Sequence, residues 1–423
     1  MNDAEPAGPL DGLRVIEVAG EQGQFCGKLM ADLGADVIKV EPPGGEDARA
    51  IGPFLADEPD PDKSLSFWHY NTSKRGVTLD LECADGAIAF KRLVATADVL
   101  LESRAPGHLP SLGLGYEDLR AINDGLVMCS LTPFGQTGPW RDYVSSDLLH
   151  LAAGGQMASC GYDEADVPDA PPIAPDGGNA WHTGAHFAYI GIMAALVQRT
   201  ITGAGQYVDA SIHEACALTT ESAVASYVFR GDEVTRQTGR HHSPRPTPRT
   251  QFRCRDGKYV NAIVWGLTPP MLRRLAEWMD SHGLADDLLD GRYQDTKFIR
   301  ANTDHIVNDV IANFIANMDS DEIYHGAQDR GFTWSSIRTP DELLDDPHLA
   351  DREFWVDVPH PELGTRYTYP GSAAIYNGSP WQISRRAPLV GEHNVEVLRD
   401  ELGLADEEMR QATGVQGNPT SSR

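Results

Sequence analysis

The strongest constraint on this chain is an alternation of strand-like and helix-like patterns over its first 150 residues. A β-rich apolar run at Leu13–Val18 precedes helical spacing over Gln24–Leu33 and a second apolar run at Asp36–Val40. The alternation then recurs as Gly76–Leu81, Cys83–Ala95, Ala97–Leu101, Tyr116–Ile122 and Leu126–Leu131. Such a pattern predicts a parallel sheet covered by helices, with right-handed crossover connections.

Ligands of parallel sheets bind at the carboxyl ends of the strands. Four segments that follow predicted strands are rich in glycine, proline and polar residues: Ala19–Gln24, Glu41–Glu46, Glu102–Gly107 and Thr132–Gly138. They predict a binding rim at one edge of the sheet. The sequence contains neither G-x-G-x-x-G nor G-x-x-x-x-G-K-[ST], so the usual dinucleotide and P-loop sites lose their main support.

Composition excludes several functional classes. The 423 residues include 62 acidic and 35 basic side chains, for a net charge of −27, which argues against coating nucleic acid or an anionic membrane. No apolar run approaches the ~20 residues needed to span a bilayer. The N-terminal segment MNDAEPAGPL lacks a basic region followed by an apolar stretch, so we predict no secretory signal and a cytoplasmic location.

Metal sites are not indicated by the cysteines or histidines. The six cysteines are scattered and none forms a C-x-x-C pair, which favours buried free thiols over a disulfide framework or a structural zinc site. His182 and His186 stand four apart on a predicted helix, a spacing that suits a metal ion. No third ligand follows at helical spacing, so we interpret both as core or interface histidines.

The second half of the chain is organised differently. A polar loop, rich in proline, glycine and aspartate, covers 155–180 and precedes a predicted helix at Ala180–Gln198. Residues 231–250 are basic and interrupted by proline, which indicates a domain linker. A smaller α+β unit is predicted over 251–335, and short strand and turn patterns follow it.

Several stretches together carry a family resemblance: PLDGLRVIEVAG at Pro9–Gly20, ADLGADVIKVEPPGG at Ala31–Gly45, NTSKRGVTLDL at Asn71–Leu81, LGLGYEDL at Leu112–Leu119, SLTPFGQTGPWRDY at Ser130–Tyr143 and AALVQRTITGAGQYVDASIHEA at Ala194–Ala215. In these motifs the chain resembles the family III CoA-transferases, the group containing formyl-CoA transferase, carnitine CoA-transferase and α-methylacyl-CoA racemase. The match is dense in the first half and looser over 251–400.

The resemblance implies a fold and a reaction. The fold is α/β, with a large Rossmann-like domain built from both chain ends, here 9–230 and 336–410, a small α+β domain at 251–335 and an interlocked dimer. The reaction moves CoA from an acyl-CoA donor to an organic-acid carboxylate. Acyl-CoA is a substrate, and no tightly bound cofactor or metal is implied.

The family nucleophile is missing from its expected place. In the family an aspartate attacks the thioester, forms a mixed anhydride and is converted to an enzyme-bound CoA thioester. Counting back from the shared helix puts that aspartate at Ala180, or at Trp181 if the alignment slips by one. Neither side chain can do this chemistry. The nearest acid, Asp176, is a candidate, although Pro175-Asp176-Gly177-Gly178 is also typical of a simple turn.

Six further residues match or approach family positions that contact CoA: Glu21, Gln22, Lys74, Arg75, Ser103 and Arg104. The Glu21-Gln22 pair resembles the family's active-site glutamine, and the adjacent basic pair is a candidate for the CoA phosphates or, alternatively, a solvated turn. Ser103 stands where the family often has asparagine, and Arg104 is displaced by one from the usual arginine. Ser146 replaces the histidine of the racemases, which disfavours racemisation.

Three hypotheses follow. The chain is an active CoA-transferase using Asp176 or another acid, or a non-nucleophilic subunit paired with an aspartate-bearing relative, or a CoA-ester-binding protein without turnover. Some family members, such as benzylsuccinate CoA-transferase, combine two related subunits of which one lacks the aspartate. We therefore predict CoA transfer with this chain as the non-nucleophilic half of a heteromer, while a homodimer stays open.

Overall fold

A computed structural model describes residues 8–175, 177–220, 222–264 and 266–414. Within these limits the chain forms two compact units. The described residues of the first are 8–154, 177–219 and 347–414, and those of the second are 155–175, 220, 222–264 and 266–346. The first unit therefore combines segments from both halves of the described chain.

A six-stranded sheet organises the first unit. Its strands are β1 (Arg14–Val18), β2 (Asp36–Glu41), β3 (Arg75–Thr78), β4 (Val99–Glu102), β5 (Val127–Thr132) and β6 (Tyr207–Ser211). Their order is β3-β2-β1-β4-β5-β6, and every neighbouring pair is parallel. This is the doubly wound order of nucleotide-binding folds, in which the direction of strand addition reverses between β1 and β4.

Helices flank this sheet. They are α1 (Gln24–Ala31), α2 (Leu65–Tyr70), α3 (Ala84–Val94), α4 (His108–Ser111), α5 (Tyr116–Arg120), α6 (Asp147–Ala153), α7 (Asn179–Thr202) and α8 (Ile212–Leu218). Side chains alternate between the two faces of a strand, so Ile16 and Leu100 join α3 residues such as Phe90 in one core. Helices α1 and α7 pack against each other, and α7 also packs on β5.

The second unit contains α9 (Ala223–Arg230), β7 (Thr235–Gln237), β8 (Arg240–Ser243), β9 (Gln251–Arg253), β10 (Tyr259–Asn261), α10 (Pro269–Asp280), α11 (Thr296–Ala301), α12 (Ala312–Ala316), α13 (Ser320–Gln328) and β11 (Ser335–Ser336). Strands β9, β10 and β11 form a small antiparallel sheet. A π-helix at His305–Ile311 leads into α12. The core is centred on Trp278, Phe314 and Trp334.

The boundaries differ from those predicted from the sequence. Residues 155–175 and the segment containing α9 belong to the second unit, and the predicted linker at 231–250 contains the hairpin β7–β8. The hairpin is supported by a buried polar side chain: Gln237 Oε1 accepts hydrogen bonds from the Thr247 backbone N–H at 2.7 Å and from Arg240 Nε at 3.1 Å. Polar contacts of this kind leave no hydrophobic pattern in a sequence.

The chain returns to the first unit with α14 (Pro347–Asp351), the antiparallel pair β12 (Trp355–His360) and β13 (Thr365–Pro370), a π-helix at Val395–Glu401 and α15 (Asp406–Ala412). The π-helix contributes Val397 and Leu398 to the core beside α3. Within the described ranges, no helix combines the length and apolar character that a membrane crossing requires.

Candidate active site

The loops that follow β1 and β4 meet at the point where the strand order reverses. The backbone N–H of Gly20, after β1, donates a hydrogen bond to Ser103 Oγ, after β4, at 3.1 Å. Ligand crevices of doubly wound sheets open outside the strand carboxyl ends at this point. The structure therefore brings the predicted residue Ser103 beside the loop that carries Glu21 and Gln22.

The loop after β1 is tightly folded. Gly23 and Gln24 both donate backbone N–H groups to the Gly20 carbonyl, at 3.1 and 3.0 Å. A Cβ on Gly23 would lie 2.8 Å from the Ala19 Cβ, closer than side-chain carbons approach one another, so glycine is required for this close approach. The turn presents Glu21 and Gln22 immediately before α1.

The surroundings of Glu21 raise the pKa of its carboxyl. Although Glu21 lies at the surface, partial burial of its carboxyl raises the pKa, and the nearby Asp147 raises it further. A hydrogen bond with Trp181 opposes this and lowers the pKa. Beside Glu21, Gln22 Oε1 is buried without a hydrogen-bond partner among the described residues. This part of the rim can exchange a proton and can accept a hydrogen bond from a substrate.

Ala180 lies at the N-terminus of α7. The helix follows Gly178, which has φ of +83°, and the Ala180 methyl group is fully buried. The backbone N–H of Ala180 donates to Asp147 Oδ1 at 2.8 Å. Asp147 is the first residue of α6, where Ser146 Oγ caps the helix by accepting the Leu149 N–H. A carboxylate therefore lies against the alanine, although it comes from another helix.

Arg104 lies on the same rim. Its guanidinium forms an ion pair of 2.8 Å with Glu46, and its backbone N–H donates to Glu102 Oε2 at 2.7 Å. The Arg104 side chain is 28% exposed, so part of the guanidinium remains accessible to an anionic group. This arrangement is compatible with the predicted contact to CoA.

The structure does not support phosphate binding by Lys74 and Arg75. Lys74 is fully buried, and its ammonium is 2.8 Å from Glu17 Oε2. Arg75 is almost fully buried and pairs with Asp36, Glu396 and Glu401. Lys74 compensates a buried carboxylate, and Arg75 compensates three carboxylates that are partly exposed. The candidate nucleophile predicted from the sequence, Asp176, lies outside the described residues.

A cavity opens beside Glu102 at the same end of the sheet. Its volume is about 380 Å³, and its lining includes Glu102, Tyr116, Met128, Ser130, Gln136 and Tyr207. Burial raises the pKa of Glu102 to about 7, while hydrogen bonds from Ser130 and the Arg104 N–H lower it. The Tyr207 hydroxyl donates to Ser130 Oγ at 2.8 Å. The lining residues include the acids Glu102, Glu117 and Asp118 and no lysine or arginine, so the cavity does not suit an anionic group such as a phosphate.

Sequence reasoning missed two features of the site. It did not single out Asp147 as a partner of Ala180, because the two residues are separated by 33 positions and only the tertiary structure joins them. It also missed the hydrogen bond between the Tyr70 hydroxyl and His182 Nε2 at 2.8 Å. Among the described residues, no group of three or more His, Cys, Asp or Glu side chains is placed to hold a metal ion.

Comparisons with known proteins show the family of this chain. The model of CoA-transferase family III matches residues 10–394. The succinyl-CoA:(R)-benzylsuccinate CoA-transferase subunit BbsE of Thauera aromatica is 34% identical, over 91% of this chain and 92% of its own length. The succinyl-CoA–D-citramalate CoA-transferase of Chloroflexus aurantiacus is 33% identical, over 97% and 98%.

A solved structure shows the same fold. The crystal structure of a CAIB/BAIF family protein from Brucella suis superposes with a TM-score of 0.79 and 27% identity, covering 94% of this chain and all of the other. The family model and the relatives point to transfer of CoA between an acyl-CoA and an organic acid. The chain therefore belongs to CoA-transferase family III.

Proposed function

We propose that this chain is the subunit of a succinyl-CoA-dependent CoA-transferase that does not supply the nucleophile. It pairs with a related chain that carries the catalytic aspartate. Acyl-CoA and an organic acid are the substrates, and no tightly bound cofactor takes part. We expect the protein to act in the cytoplasm.

The observation that carries this proposal is Ala180. A methyl group cannot attack a thioester or carry the acyl and CoA groups in turn, which is the work of the family aspartate. Ala180 is fully buried, and its N–H is occupied by Asp147. The carboxylate nearest to this place belongs to Asp147 of another helix, while the side chain at position 180 itself offers no nucleophile.

The relatives support the choice of donor and the subunit role. Both relatives named above use succinyl-CoA by name, and one of them is a subunit of its transferase. Succinate is a small dicarboxylate, and the acceptors in those names also carry carboxylates. We infer a dicarboxylic acceptor for this chain too.

An apolar stripe along α7 supports pairing with another chain. It consists of Phe187, Ile190, Ala194, Val197 and Ile201, all exposed. The spacing alternates between three and four residues, which is the spacing of a helix-packing seam. Large exposed apolar side chains in such a row mark an interaction surface. The stripe fits the interlocked pairing that the family resemblance implies.

For binding CoA we retain the predicted rim residues Glu21, Gln22, Ser103 and Arg104. Arg104 keeps part of its guanidinium exposed and can pair with a phosphate. The Gln22 side-chain oxygen is buried without a hydrogen-bond partner among the described residues, and we propose that it accepts a hydrogen bond from an amide of the pantetheine arm when the CoA ester binds. Lys74 and Arg75 are no longer part of the proposed site.

The test uses the pure chain with succinyl-CoA and a panel of dicarboxylic acids. Acyl-CoA products are separated by chromatography, and succinyl-CoA affinity is measured by calorimetry. We expect saturable binding without transfer by the chain alone, and transfer when an aspartate-bearing relative from the same organism is co-expressed. Transfer by the chain alone would contradict the subunit role, and binding without transfer in every mixture would favour a CoA-ester-binding protein.

A second candidate has specific structural support: an enzyme active by itself through Asp147. Its carboxylate lies 2.8 Å from the Ala180 nitrogen, close to where the family aspartate would stand. Asp147 is half-buried, so part of it can meet a substrate. Asp176 remains the sequence-based alternative.

Peptide mapping separates these acids. Incubation with succinyl-CoA followed by hydroxylamine would mark an activated carboxyl as a hydroxamate. A mark at Asp147 that disappears in Asp147→Asn, but persists in the control Asp142→Asn, would establish this second candidate. A mark at Asp176 would establish the relocated nucleophile there.

A further inference from the structure

A buried cluster of charges lies beneath the loop that follows β1. Glu17 on β1, Lys39 on β2 and Lys74 before β3 are all fully buried. Lys39 Nζ is 2.8 Å from Glu17 Oε1, and Lys74 Nζ is 2.8 Å from Glu17 Oε2. Glu17 and Lys39 are direct partners in the parallel register of β1 and β2. One carboxylate thus bridges two ammonium groups inside the protein.

Each lysine also binds one end of the loop. Lys39 Nζ donates to the Ala19 carbonyl at 2.6 Å, where β1 ends. Lys74 Nζ donates to the Gln24 carbonyl at 2.8 Å, where α1 begins. The loop that presents Glu21 and Gln22 is therefore held at both ends by ammonium groups anchored on one carboxylate.

We propose that Lys39 and Lys74, bridged by Glu17, are positioning residues that fix the loop over Ala19–Gln24, and with it Glu21 and Gln22, for contact with the CoA ester. The inference rests on the proposed function for the role of Glu21 and Gln22. The mechanical part, that the lysines hold the loop, stands independently of turnover.

The neighbouring groups show that the two lysines do more than neutralise their shared partner, Glu17. Two ammonium groups on one carboxylate leave an excess positive charge, and a single lysine would already balance Glu17. The third hydrogen bond of Lys74 goes to Asn71 Oδ1 at 2.9 Å, and the Asn71 amide in turn donates to Gln24 Oε1 at 3.0 Å. All three Lys74 donors are used, and two of these paths lead to Gln24.

The same environment makes the hold sensitive to pH. The pKa of Lys74 is lowered to about 8: burial lowers it most, Lys39 and Lys28 also lower it, and Glu17 opposes them. Lys28 belongs to α1 and is itself paired with Asp32 at 2.7 Å, and Cys26 of α1 also faces Lys74. When the pH rises through about 8, Lys74 loses its proton and the charge that strengthens its bond to the Gln24 carbonyl.

The direct test is hydrogen exchange of the loop amides, measured by mass spectrometry on the full chain. The N–H groups of Gly23 and Gln24 are bonded within the loop and report its order. The variants are Lys74→Met and Lys39→Met, each of which leaves Glu17 with one lysine and the interior neutral. The matched control is Lys63→Met, because Lys63 is a surface lysine whose partner is Glu58.

We expect Lys74→Met to speed exchange in the peptide over 19–27 by at least tenfold at pH 7, with the peptide over α3 unchanged. In the wild type, the amide exchange rate of peptide 19–27, divided by the intrinsic rate at each pH, should rise with increasing pH and have its midpoint near pH 8. Lys74→Met should not show this rise. The Lys63→Met control should match the wild type throughout.

Two results would overturn the proposal. The first is loop exchange in Lys74→Met within twofold of the wild type. The second is an equal increase in the α3 peptide, which would indicate general destabilisation. If Lys74→Met does not fold, the test is the pH dependence of the corrected exchange rate of peptide 19–27 in the wild type. A rate that does not change with pH refutes the proposal. None of these readouts requires turnover or a partner, so they stand apart from the test of the proposed function.

Discussion

Glu102 makes a quantitative prediction about stability. The side chain is 4% exposed, and burial raises its pKa to about 7 from 4.5. Between these two values the folded protein binds more protons than the unfolded chain, so this group makes stability fall as the pH rises from 4.5 to 7. A pKa difference of about 2.5 corresponds to about 3 kcal/mol, reached in full above pH 7.

The perturbation is Glu102→Gln, which keeps the shape of the side chain and removes the titration. We expect the wild type to lose about 3 kcal/mol of unfolding free energy relative to the variant as the pH rises from 4.5 to 8. This difference is measured by urea unfolding at several pH values. Hydrogen exchange of the β4 amides monitors the unfolding, so that the transition of the first unit is the one observed.

The control is Glu117→Gln, because Glu117 also lines the cavity but its side chain is 82% exposed. Its difference from the wild type should not change with pH. A Glu102→Gln difference that also stays constant within about 0.5 kcal/mol across this range would refute the reasoning, since 3 kcal/mol is expected from the linkage.

Three further predictions concern single side chains. Glu17→Gln should lower the free energy of unfolding by about 3–5 kcal/mol, because it leaves two buried ammonium groups without a carboxylate, whereas Lys74→Met should cost clearly less in the same urea titration. Arg104→Gln should weaken succinyl-CoA binding about tenfold in calorimetry through loss of a charge-assisted contact, while the exposed Arg120→Gln should not. Val197→Asp should abolish the pairing of this chain with the related chain without lowering stability, and Thr200→Asp on the same helix should leave this pairing intact. Light scattering measures the mass of the complex.

The sequence predicts the central sheet well, because its signal is local and repeated. Buried parallel strands are continuous apolar runs, and helical spacing between them is unambiguous. For this reason the predicted strand at Asp36–Val40 differs from β2 by a single residue. The hairpin β7–β8 was not predicted because a buried glutamine and backbone groups hold it, and its sequence is polar with no apolar alternation.

The site is less predictable because its contacts join distant segments. A lysine beside an arginine in a polar stretch is typical of a solvated turn or a phosphate contact, and only the carboxylate of Glu17, 57 residues away, explains why Lys74 is buried. Similarly, the absence of the aspartate at position 180 can be found by counting from the motifs. The hydrogen bond from the Ala180 N–H to Asp147 cannot be predicted in this way. Local patterns determine the elements, while long-range charge pairing determines which polar residues reach the site.

We propose that this chain takes part in CoA transfer without supplying the nucleophile. The decisive measurement is the intact mass after incubation with succinyl-CoA and hydroxylamine, with Ala180→Asp as the comparison that restores a carboxyl at the family position. We expect an unmodified wild type and a hydroxamate at position 180 in the variant. A hydroxamate on any carboxyl of the wild-type chain would contradict it.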